Sequence, residues 1–113
     1  MSRRLFIALL GLSLALFLTP QITLAQENHV AEAVKHTKEA IEHGKMGHAD
    51  VLTTHAEAAL THAEAAEKQK ANPHVEQGIT HLKQAISEGK KGDAKAATTH
   101  AEAALQHLEM AEK

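Results

Sequence analysis

The chain has 113 residues, 43% hydrophobic and 23% charged, with ten histidines and no cysteine, tryptophan or tyrosine. Without cysteine there are no disulfide staples, and zinc-finger, thiolate-copper, c-type haem and thiol-redox chemistries are excluded. Beyond residue 25, ten lysines face fourteen carboxylates with no arginine and no phenylalanine, tyrosine or tryptophan, a net charge of about −4 that argues against nucleic-acid partners.

Residues 1–25 read as a secretory signal peptide. Ser2-Arg3-Arg4 is a basic start, Leu5 to Leu18 an apolar run of 14, and Thr23-Leu24-Ala25 a small-residue end that places cleavage after Ala25. The run is shorter than the ~20 apolar residues that span a bilayer, so no membrane attachment is expected after cleavage. The product, residues 26–113, is expected in the periplasm as one monomeric domain.

Ala, Glu, Lys, Gln and Leu dominate that product, and all favour helix. Helices are predicted near 27–43, 48–70, 73–88 and 93–112. Gly44-Lys45-Met46-Gly47 and Gly89-Lys90-Lys91-Gly92 mark tight reversals, with a glycine just past each helix ending it in the left-handed conformation. Asn72-Pro73 marks the joint between the two pairs, Asn72 as a cap and Pro73 at the first helical position. Residues 29–68 overlay 74–113 at an offset of 45 with 23 of 40 positions identical, so each copy is one helical hairpin. The predicted fold is all-α, an antiparallel four-helix bundle made from two tandem hairpins.

Val30, Ala33, Thr37 and Ala40, then Ala49, Leu52, Ala56, Ala59, Ala63 and Ala66, space as heptad a and d positions. Val34, Ile41 and Leu60 fall at e, as do Ile79, Ile86 and Leu105 of the second copy, and are expected to bury the contact between hairpins. So alanine-rich a core buries little area, and modest stability is expected in the absence of a ligand.

All ten histidines fall at g: His29, His36, His43, His48, His55, His62, His74, His81, His100 and His107. Across an antiparallel pair, g faces g. His43 with His48, His36 with His55 and His29 with His62 have numbers summing to 91, symmetric about the first turn; His81 with His100 and His74 with His107 sum to 181. The remaining rung, beside the second turn, pairs Glu88 with Asp93. Histidines of one stripe stand about 10.5 Å apart and cannot share an ion, but helices packed ~8–10 Å apart can bring two rings to one point. Neutral imidazole is a common ligand for borderline divalent metals, so these ten residues are the candidate metal ligands, with Cu²⁺ favoured over Ni²⁺ and Zn²⁺. Glu32 and Glu39, on adjacent turns of the first helix, are placed to supplement them. Met46 and Met110 are too few and too separated for a Cu⁺ site.

The His-Gly-x-x-Gly-His turn at His43–His48, the His-Ala-Glu-Ala segments at His55 and His62, the duplicated hairpins and the leader resemble the periplasmic small metal-binding protein family over nearly the whole product. The resemblance implies a four-helix bundle that scavenges or buffers several divalent metals, copper among them. The chain departs from the pattern at Glu88 and Asp93, where histidines would be expected beside the turn.

Two other classes compete with this reading. One is a structural or partner-binding helical module. The other is an acid sensor, because charging ten imidazoles would set up repulsion along each stripe. Catalysis is not expected, since Thr53-Thr54 and Thr98-Thr99 have no activating base in reach.

Overall fold

A computed structural model describes residues 28–113 as four α-helices: α1 His29–Lys45, α2 Ala49–Gln69, α3 Pro73–Lys90 and α4 Ala94–Glu112. The leader, residues 1–25, lies outside the described residues. Each helix packs along the next and α4 closes back on α1, giving the antiparallel bundle that the repeats predict. Within the described residues no helix is long and apolar enough to cross a membrane.

The glycines of each turn divide their labour differently from the sequence expectation. Gly44 and Gly89 do not end their helices; both are helical and buried. Gly47 and Gly92 take the left-handed conformation, at φ 82° and 87°. The Gly47 N–H donates to Gly44 O at 3.0 Å and the His48 N–H to His43 O at 2.9 Å; Gly92 and Asp93 repeat both bonds onto Gly89 and Glu88. This is the Schellman pattern, which sets the third residue from the helix end beside the residue after the left-handed one. The turn itself therefore juxtaposes His43 with His48, and Glu88 with Asp93.

Gly44 and Gly89 serve packing instead. A Cβ on Gly44 would run into the Thr98 hydroxyl and the Leu52 side chain, and one on Gly89 into the Thr53 hydroxyl. Residues 44 and 89, and likewise 53 and 98, are equivalent in the two copies, so the hairpins dock by one contact used twice. Lys45 with Glu102 and Lys90 with Glu57, each at 3.6 Å, form a second equivalent pair across that junction.

Asn28 caps α1 by accepting from the Ala31 N–H, and Asn72 caps α3 by accepting from the His74 N–H, with Pro73 in the first turn as expected. Among the described residues the core contains no side chain larger than leucine. Leu52, Leu82, Leu108, Val75 and Thr37 are its largest fully buried members, and alanines at the a and d positions fill most of the remainder. Val34, Ile41 and Ile86 are buried at their e positions, and Leu60, Ile79 and Leu105 pack partly buried against the core.

Candidate metal centre

The ten histidines form two ladders, each in the groove of one hairpin. All five expected rungs are present, with ring centroids at 5.3 Å for His29–His62, 6.1 Å for His36–His55, 6.0 Å for His43–His48, 5.9 Å for His74–His107 and 6.1 Å for His81–His100. Diagonal neighbours are as near. His36–His62 at 5.7 Å, His43–His55 at 5.4 Å and His81–His107 at 5.6 Å stack within 9° of parallel. Each ladder is therefore a continuous zipper, six rings in the first hairpin and four in the second. Spacing along a helix foretells the rungs, whereas the diagonals depend on the axial stagger of facing helices and the tilt of the rings.

One rung already has bridging geometry. Nδ1 of His29 and Nδ1 of His62 are 3.1 Å apart, one ring donating to the other. Two nitrogens bound to one ion at ~2.0–2.1 Å would stand roughly 2.9–3.4 Å apart. Replacing the shared proton by a cation there needs little movement of either ring.

Eight of the histidines are half-buried and two, His48 and His74, are exposed. The Nδ1 atoms of His43, His81 and His107 are buried without a hydrogen-bond partner. A buried, unsatisfied polar atom costs about 1–3 kcal/mol, and a repeated set of them along a groove fits a row that binds cations better than it fits solvated surface residues. His36 Nδ1 and His55 Nδ1 lie 3.2 Å and 3.3 Å from the same oxygen, Glu39 Oε1. The ligand atoms of His36, Glu39 and His55 all fall within 4.8 Å of one another, as do those of Glu32, His36 and His62.

His48 adds a further argument. It occupies the N-cap position of α2 yet makes no side-chain capping bond, whereas its counterpart Asp93 caps α4 by accepting from the Ala96 N–H at 2.9 Å. Histidine is a poor cap, worth about 1 kcal/mol less than aspartate at such a position. Its presence there places a ring on the ladder at the expense of local stability. At the second turn Asp93 is committed to its cap and Glu88 is paired with Lys91 at 3.7 Å, so that rung of carboxylates is already partnered.

The hydroxyls of Thr53, Thr54, Thr98 and Thr99 all donate to the carbonyl four residues earlier in their own helix. Met46 and Met110 are exposed on separate parts of the bundle.

The sequence model of the family described as small metal-binding protein matches residues 3–111 of the chain. No curated protein matches it.

Proposed function

The chain belongs to the small metal-binding protein family, and from that premise we propose that it sequesters divalent transition-metal ions in the periplasm by gripping them between facing histidine rings. The observation that carries this reading is the His29–His62 pair, whose facing nitrogens stand at the separation of two ligands on one ion. Orphaned ring nitrogens along both ladders support it. With imidazole and carboxylate donors and no thiolate, Cu²⁺ binds most tightly, ahead of Ni²⁺ and Zn²⁺. Sites of two rings on the rim of a bundle exchange their ions readily, which suits buffering better than catalysis, and the protein acts as a monomeric carrier rather than an enzyme. The basic, apolar and small-residue stretches of residues 1–25 support export.

The test is calorimetric titration of the purified protein with Cu²⁺, with His36 and His55 replaced by alanine singly and together. On a shared rung the second replacement adds little to the first. Thermal melts provide the independent check, because an ion at 100 times its Kd stabilises the folded state by about 2.7 kcal/mol. A melting temperature unmoved by excess Cu²⁺ would leave the bundle as a structural module.

A further inference from the structure

The first hairpin contains a set of five side chains that the second reproduces incompletely. Glu32, His36 and Glu39 stand on successive turns of one face of α1, opposite His55 and His62 of α2. Their counterparts 45 residues on are Gln77, His81, Gln84, His100 and His107. All three histidines persist and both carboxylates have become amides. The ring arrangement is likewise kept, with rungs at 6.1 Å and diagonals at 5.6–5.7 Å in both hairpins. The ring geometry being alike, the copies differ at this point in their flanking side chains: Glu39 is half-buried beside His36 and His55, whereas Gln77 and Gln84 are neutral and exposed.

We infer that Glu32, His36, Glu39, His55 and His62 make a carboxylate-assisted centre that takes one divalent cation of the zinc class before any other position fills; this rests on the histidine-ladder reading above. His36 Nδ1 lies 3.2 Å from Glu39 Oε1 but outside hydrogen-bonding geometry, so the oxygen stands beside the ring nitrogen without being engaged by it. Among the described residues, the lysines that cross between hairpins pair with Glu57, Glu102 and Glu109, whereas the partners of Glu39 are the two imidazoles. The carboxylate is thus free of lysine at the one place where two nitrogens converge on it.

Two nitrogens and one carboxylate with positions left for water form a set that Zn²⁺ readily accepts. His36 belongs to both three-ligand groups, one on the rung with Glu39 and His55, the other on the diagonal with Glu32 and His62. The groups are alternative seats for a single ion, and occupation of one withdraws His36 from the other. A carboxylate contributes a full negative charge at bonding distance. The amide of Gln77 or Gln84 contributes only a dipole, and the second hairpin therefore binds by imidazole alone.

Titration with Zn²⁺ alone, followed by calorimetry, tests this on the wild type and on two double variants. Glu32→Gln with Glu39→Gln gives the first hairpin the ligand set that the second already carries in the same fold. Gln77→Glu with Gln84→Glu does the reverse. The wild type is expected to take one Zn²⁺ tightly before weaker steps. The first variant should lose that step, its affinity falling at least about tenfold, the lower end of what even an outer-shell partner contributes, while the weaker steps persist. The second variant should gain a second tight step. A first variant that titrates like the wild type overturns the carboxylate centre and leaves the histidine ladders standing. Wild type that binds Cu²⁺ without a tight Zn²⁺ step overturns it equally. Wild type that binds neither ion removes the ladder reading itself.

Discussion

The two hairpins descend from one pattern, and two groups of their differences bear on the ladder and on the core. On the ladder, His43 and His48 become Glu88 and Asp93, and Glu32 and Glu39 become Gln77 and Gln84. In the core, Ala33 and Ala63 become Gly78 and Leu108, Thr37 becomes Leu82, and Leu52 becomes Ala97. The segments that make the fold scarcely change: the glycine turns, the Thr-Thr-His-Ala-Glu-Ala-Ala-Leu segment within the second helix, and the reciprocal docking of Gly44 on Thr98 and Gly89 on Thr53. The ligand-rich hairpin has an uncapped second helix and a threonine at its centre. The ligand-poor one has a proper cap and a leucine there. One copy is weighted toward ligands and the other toward a capped second helix, on a shared frame.

The core substitutions provide the largest test of that contrast. A Cβ on Gly78 would come within 2.8 Å of Leu108 Cγ and Cδ2, so the missing methyl in α3 makes room for the leucine of α4. Leu108→Ala is expected to destabilise the protein by about 2–5 kcal/mol through the cavity it opens. Gly78→Ala alone overpacks against Leu108, at about 1–3 kcal/mol, offset by about 1 kcal/mol of helix propensity. Made together they restore the alanine pair of the first hairpin, and chemical denaturation should show the double variant less destabilised than the sum of the two. Strict additivity would mean that the two positions are not packed on each other.

A smaller effect is expected at the caps. His48→Asp gives α2 the cap that α4 already has and should stabilise the metal-free protein by about 1 kcal/mol while shortening the ladder to five rings. Asp93→His should destabilise by a similar amount. The two changes should move stability and Cu²⁺ capacity in opposite directions. If His48→Asp stabilises with no loss of capacity, the end ring takes no part in binding.

Much of this was legible in the sequence because heptad spacing and duplication are one-dimensional signals. The four helices, the hairpin pairing and the five rungs all follow from counting residues about two glycine turns. The Asn72 cap and Pro73 start follow from residue preference. What counting could not supply was anything that depends on the third dimension. The diagonal stacks arise from stagger and ring tilt. Gly44 and Gly89 looked like turn glycines because they flank the turns, yet their absent side chains admit threonines from the opposite hairpin. The different duties of His48 and Asp93 depend on which residue lands at the N-cap, and a shift of one residue in the helix start, from 48 and 93 to 49 and 94, decides it. Expected ends at residues 43 and 88 became 45 and 90, which carries both first glycines into their helices.

The smallest expected effect lies where the hairpins join, at a contact that has no internal counterpart. Glu76, in the first turn of α3, has a carboxyl raised above the usual carboxylate range, first by a hydrogen bond with Glu67 of α2, then by repulsion from the Glu67 charge, and last by desolvation. Glu67 is also engaged by the Asn72 N–H at 3.1 Å, so it is held in place beside the joint. Position 31, the equivalent of Glu76 in the first copy, is Ala31. A carboxyl whose folded-state value is raised favours the fold at pH below its unfolded value, ~4.3 for glutamate, and loses that contribution as pH climbs through the folded value. Above its folded-state value the Glu76 charge is opposed by that of Glu67 across the joint. Glu76→Gln should therefore melt slightly above the wild type at pH 7 in low salt, with the difference shrinking as salt screens the pair and closing or reversing near pH 4. Scanning calorimetry at the two pH values reads both signs. A difference that grew on acidification would place the strain elsewhere in the joint.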